Sequence, residues 1–309
     1  MWGPAGVVMA LLCACSVSTP AAPSPVGVTR ASPTPTSHQS PSPHAPPTSK
    51  AHDVGRLITA AGVTQWVQCA GTGPVTTLII AGLGSSTRDW LPVLPQLQRI
   101  TRTCVYDRPG LGHSPPRNDG RDPIDAGRHA RELAAALNAI GEHGPYLVLG
   151  HSYGGLVARA FVAQHPPDIA GVLLAESVTP YDPTLGEVWV EATSVIDLAA
   201  SSRATHGGPP LRDLPLIVLT ASRPEANRLD GPDYGQPADV TDEWLRGQRA
   251  NLTLSSDSIQ VTAHSGHELQ KDAPDAVVEA VRQLVSAIET TKPLACTPVW
   301  KELQTTCRA

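Results

Sequence analysis

The run Gly150-His151-Ser152-Tyr153-Gly154 sets a serine between two glycines, directly after the apolar stretch 146–149 (YLVL). A G-x-S-x-G pattern between a strand and a helix suits nucleophilic catalysis. The glycines leave room for a sharp corner that projects the hydroxyl, and the following helix start stabilises developing negative charge. Serine is a weak nucleophile alone. It needs a base within hydrogen-bond reach and a third group to orient that base. His264 and His267 lie late in the chain and are the candidate bases. His151 adjoins the serine, but a sharp corner directs neighbouring side chains apart, so it reads as a packed histidine. Carboxylates for the third role are Glu176, at the end of 169–175 (IAGVLLA), and Glu225 or Asp230, beyond 214–220 (LPLIVLT). An apolar strand ending in a glutamate implies a partner, because a buried unpaired charge is costly. That partner is either the catalytic histidine or an arginine.

These residues need a scaffold. Apolar runs at 76–81, 103–106, 146–149, 169–175 and 214–220 read as buried strands, with a weaker one at 259–262 and a strand pair within 56–68. Helical periodicity appears at 89–100, 122–140, from the serine corner to Gln164, and at 272–289, where Asp272 is the expected cap. Strands alternating with helices predict an α/β domain with a doubly wound, mostly parallel sheet. Residues 177–212 break the rhythm with no strand, and read as a short cap over the carboxyl ends of the strands.

Three further runs sit in the same order as the serine motif in a known superfamily. They are Leu78-Ile79-Ile80-Ala81-Gly82-Leu83-Gly84, Tyr106-Asp107-Arg108-Pro109-Gly110-Leu111-Gly112-His113-Ser114, and Ser265-Gly266-His267. Over 55–289 the chain resembles the α/β-hydrolase superfamily. The resemblance implies an eight-stranded sheet with the cap inserted after the sixth strand. It implies Ser152 as nucleophile, His267 rather than His264 as base, and backbone N–H groups of Leu83 and Tyr153 as the oxyanion hole. It also implies a structural role for Asp107-Arg108, with His113 near enough to touch substrate. The usual Gly-x-x-Asp after the seventh strand is absent. Glu176, after the sixth, is therefore the expected acid, with Asp230 as the alternative. Ala81 stands where many relatives have histidine.

The chain has 309 residues, 41% hydrophobic and 17% charged, with a single Phe, so Ala, Val, Leu and Ile must build the core. A net charge of −5, with every acidic residue after Lys50, gives no case for nucleic-acid binding. Residues 1–15 read as a signal leader with a short apolar run, and Leu12-Cys13-Ala14-Cys15 resembles a bacterial lipobox with Cys15 lipidated. Ordinary secretory cleavage a few residues later is the other reading. Residues 16–50, rich in Pro, Ser and Thr, form an expected disordered tether before the domain at 51–309. Four cysteines remain. Cys296 and Cys307 are neighbours in the tail, 290–309, which leaves Cys69 with Cys104; two other pairings are possible in principle. The superfamily's strand order puts Cys69 and Cys104 on adjacent strands.

The expected activity is serine hydrolysis of a small-molecule carboxylic ester, with no metal or organic cofactor. The expected location is outside the cytoplasm, as a bacterial cell-surface lipoprotein or else as a secreted protein, with membrane attachment only through the Cys15 anchor. Two other classes stay open. One is a peptidase of the prolyl-aminopeptidase kind, whose substrate amine would need an acidic anchor among Glu187, Glu191 and Asp197. The other is a non-catalytic surface binding module on the same scaffold.

Overall fold

The computed structural model describes residues 54–118, 120, 123–179, 188–205, 211–223 and 238–309, with side chains of 238–243 excepted. The chain opens with β1 (Arg56–Ala60) and β2 (Val63–Ala70), then β3 (Thr76–Ile80), α1 (Leu94–Ile100) and β4 (Arg102–Asp107). Next come α2 (Ala126–Ala139), β5 (Tyr146–His151), α3 (Tyr153–Gln164) and β6 (Ile169–Ala175). A hairpin of β7 (Val188–Glu191) and β8 (Ser194–Asp197) leads into α4 (Leu198–Thr205). The chain then returns to β9 (Leu216–Ala221), α5 (Ala238–Ala250) and β10 (Ser258–Ala263). It closes with α6 (Leu269–Asp272), α7 (Pro274–Thr290), α8 (Pro298–Glu302) and β11 (Thr306–Arg308).

The main sheet runs β1-β2-β4-β3-β5-β6-β9-β10-β11. The six strands from β4 to β10 are mutually parallel; β1, β2 and β11 are antiparallel to their neighbours. Alternating side chains divide the apolar strands between two cores. Leu78, Ile80, Val148, Leu174 and Val218 face α2 and α3, meeting Leu133, Leu137, Leu156 and Phe161. Ile79, Leu149, Leu173, Ile217 and Val261 face α1 and α7, meeting Leu97, Val277, Val281 and Leu284. Both faces are covered, which is why the central strands read as continuous apolar runs.

The α/β-hydrolase fold expected from the sequence is present, with three differences of detail. The sheet has a ninth strand among the described residues, because the tail returns as β11 on the free edge of β10. Trp300 of α8 is buried beneath that return, and a Cys296–Cys307 disulfide closes it. The stretch 177–212 does contain strands. Its hairpin turns through Ala192 at φ 51 without the Asn-Gly or Gly signal that marks such turns. Finally, α2 starts at Ala126 under an Asp125 cap, and Ile124 instead bridges to the hairpin at Ile196. Asp272 likewise does not cap the last long helix. Ala273 does, and the Asp272 carboxylate accepts the Gly266 N–H.

Cys69 and Cys104 face each other across β2 and β4 and are joined as a disulfide. Among the described residues no helix is long and apolar enough to cross a membrane. The leader, Cys15 and the tether lie outside the described residues.

Candidate active site

Ser152 sits at the corner between β5 and α3 with φ 51 and ψ −126, a conformation side chains rarely adopt. The local sequence permits it. A Cβ on Gly154 would lie 2.1 Å from the Ile80 carbonyl oxygen, and one on Gly150 would lie 2.7 Å from Ala158 Cβ. Only glycines allow the strand, corner and helix to pack this closely. Tyr153 opens α3, so its N–H is among the helix-start donors without an intrahelical partner.

The loop after β3 lies against this corner. A Cβ on Gly82 would be 3.1 Å from Ser152 Cβ and 3.0 Å from His151 Nδ1. Leu83 follows in the same loop and is half-buried.

Glu176 follows β6 directly, fully buried and at φ 43. Three donors converge on its carboxylate. Oε1 accepts the Ala221 N–H at 2.7 Å, and Oε2 accepts the Trp244 indole N–H at 2.9 Å. His267 Nδ1 lies 3.4 Å from the same Oε2, the long end of hydrogen-bond range. The structure thus brings Glu176 to His267 and leaves His264 on the surface, its Nδ1 3.3 Å from the Ser222 hydroxyl. Asp230 and Glu225 lie outside the described residues.

His151 is buried beneath the corner, edge-on to Trp90. Its Nε2 is 2.9 Å from the His267 carbonyl oxygen, which can only accept, so Nε2 carries the proton. Burial, reinforced by the neighbouring His267, pulls its pKa down to about 4. The side chain therefore packs as expected, and it also ties the His267 backbone to the serine corner. His113 stacks on Trp66 and reaches Asp107, so it belongs to the loop's own framework. Asp107 accepts the backbone N–H groups of Thr87 and His113.

His151, His267 and Glu268 bring ligating atoms within 4.8 Å of one another, the spacing of a metal site. Each is already engaged: Nε2 of His151 with a carbonyl, Nδ1 of His267 with Glu176, and Oε2 of Glu268 with the Gln270 amide. A hydrogen-bond set accounts for the cluster.

Sequence reasoning missed Trp244, because α5 was not foreseen. Its apolar positions are few and its tryptophan acts through one indole N–H. It also missed what Arg108 and Glu191 do. The guanidinium and the carboxylate are both buried and pair at 2.6 Å, 83 residues apart in the chain. No local pattern announces such a pair.

Comparisons with known proteins bear on the fold. Residues 77–227 match the model of a family described as alpha/beta hydrolase fold. A Bacillus subtilis protein named "Uncharacterized protein YqjL" is 24% identical over 230 residues, covering 68% of this chain and 83% of the relative. A "Putative carbamate hydrolase RutD" of Enterobacter cloacae is 24% identical over 237 residues, covering 72% and 88%. Among solved structures, a thermophilic esterase from Thermogutta terrifontis superposes with a TM-score of 0.57 at 17% identity, covering 76% of this chain and 99% of that one. Strand order, the serine corner and the family model matched over 77–227 together give the chain the fold of the α/β-hydrolase superfamily.

Proposed function

We propose that the protein is a serine hydrolase that cleaves a carboxylic ester of a small molecule through an acyl-enzyme. The observation that supports this best is the buried Glu176 meeting His267 Nδ1 beside the strained Ser152 corner. In this reading Glu176 holds the imidazole with its proton on Nδ1, leaving Nε2 to take the Ser152 proton during attack. Backbone N–H groups of Leu83 and Tyr153 receive the oxyanion. His267 then returns the proton to the leaving alcohol, and water repeats the sequence to release the acid.

The aminopeptidase reading draws less support. Glu191 is spent on Arg108, and Asp197 accepts the Ala200 N–H at the start of α4, so neither is poised for a substrate amine. Glu187 lies outside the described residues. A binding module without catalysis would have no use for a carboxylate–histidine pair beside a strained serine. The RutD relative's name adds carbamates to the esters worth testing.

Two disulfides favour an oxidising compartment. We place the protein outside the cytoplasm as an exported, lipid-anchored form, with 1–15 as leader, Cys15 as anchor, 16–50 as tether and the hydrolase domain beyond. Within that domain, 177–212 would serve as cap and 290–309 as tail.

The test is labelling with a fluorophosphonate probe, followed by hydrolysis of p-nitrophenyl esters of graded chain length. Labelling should map to Ser152, and Ser152→Ala should lose label and turnover while keeping its fold. Folded wild-type protein that neither labels nor turns over any ester would overturn the assignment.

A further inference from the structure

The loop after β3 is held from an unexpected direction. Arg108 Nη1 donates to the Ala81 carbonyl at 2.6 Å, and Nη2 donates to the Gly82 carbonyl at 2.5 Å. The same guanidinium meets Glu191 through Nε at 2.8 Å and Nη2 at 2.6 Å. Glu191 Oε1 also accepts the Gly84 N–H at 2.9 Å. Glu191 is the last residue of β7, so the hairpin supplies one half of the brace and the loop after β4 supplies the other. Both side chains are buried.

A peptide unit is planar and, in trans, points its C=O and the next N–H in opposite directions. The Gly82–Leu83 bond is trans; the cis bond among the described residues is Gly144–Pro145. Fixing the Gly82 carbonyl therefore fixes the direction of the Leu83 N–H. Without the guanidinium, that peptide has only the Ser85 N–H, at 3.2 Å, to hold its carbonyl. Arg108 also lies over the Tyr153 ring, 5.5 Å from its centroid, so one cation contacts both segments that carry the oxyanion donors.

We infer that Arg108 and Glu191 are positioning residues that pre-orient the oxyanion hole, and that the hairpin is a fixed strut of the site through Glu191. The inference rests on the serine-hydrolase reading and on Leu83 as a donor. Burial pulls the Glu191 carboxyl upward and Arg108 more than offsets it, so the acid is held below its ordinary range and the pair stays ionised.

Two charge-conserving variants test this while keeping a buried cation opposite a buried anion. Arg108→Lys concentrates its donors on one nitrogen, which cannot span both carbonyls and the carboxylate. Glu191→Asp retracts the acceptor from Gly84 or from Arg108. Turnover of p-nitrophenyl butyrate is measured per active site titrated with fluorophosphonate, together with Ki for a trifluoromethyl ketone that forms a tetrahedral adduct. Loss of a whole oxyanion donor costs roughly 10²–10³ in kcat. A misaimed donor should cost about 10–100-fold. KM should stay within about threefold, and Ki should rise in step with the loss in kcat/KM. A role in stability alone would lower the melting temperature and leave kcat per titrated site unchanged; that result in both variants overturns the inference. Wild-type protein inactive on every ester would instead remove the underlying reading, and the inference with it.

Discussion

Replacing Glu176 by Gln changes one atom and should remove most of the activity. The carboxylate receives three donors: Ala221 N–H on Oε1, Trp244 indole N–H and His267 Nδ1 on Oε2. A carboxylate accepts all three, whereas an amide offers one oxygen and one NH2. With its oxygen toward Ala221, the Gln NH2 meets the indole N–H donor to donor and forces His267 Nδ1 to accept. The imidazole proton then moves to Nε2, where no base remains for Ser152. With the oxygen toward Trp244 and His267, the NH2 faces the Ala221 N–H in a fully buried place. Either way a donor is stranded, at about 1–3 kcal/mol of stability. The wrong tautomer of the first arrangement costs roughly 10⁴ in kcat, about 5.5 kcal/mol of barrier; the second keeps the tautomer but leaves the imidazolium that forms without its counter-charge. The assay is kcat on p-nitrophenyl butyrate below the melting temperature, with Asp230→Asn as comparison. Glu176→Gln should lose at least 10³-fold and Asp230→Asn should stay close to wild type. Glu176→Gln within tenfold of wild type, or a large loss at Asp230→Asn, would refute the assignment.

Acid should destabilise the fold earlier than its carboxylates alone require. Burial pulls His129 down to about 3 and His151 down to about 4, so both fold as neutral rings. The unfolded chain binds their protons from about pH 6.5 downward, so stability is full above that value and falls as pH drops toward the folded pKa values. Each histidine contributes a slope of about 1.4 kcal/mol per pH unit. Urea unfolding between pH 7 and 5, with disulfides intact, should show the combined loss; a flat profile there would count against it. The two disulfides should differ in weight. Their sequence separations are 35 and 11, which give about 4 and 3 kcal/mol in the chain-entropy model. The buried Cys69→Ala/Cys104→Ala pair should therefore cost more than Cys296→Ala/Cys307→Ala in chemical denaturation, and the opposite order would contradict the argument.

Local chemistry was written into the chain. The strand–Gly-x-Ser-x-Gly–helix order requires a corner, because only glycines tolerate backbone within 3 Å of where their Cβ would be. Continuous apolar runs announced a sheet buried on both faces, and the cysteine positions suited the observed pairs. The carboxylate at the end of β6 was legible because charge after an apolar run demands a partner. What the tertiary structure decided were contacts between distant segments. The hairpin in 177–212 is held by backbone pairing to Ile124, and its Ala-Thr turn carries no signal of its own. The ninth strand exists only because an edge of β10 was free to pair. Trp244 reaches Glu176 across 68 residues, and Glu191 reaches Arg108 across 83. Such pairings depend on which loops the sheet order brings together at its carboxyl end, and a one-dimensional pattern carries no term for that.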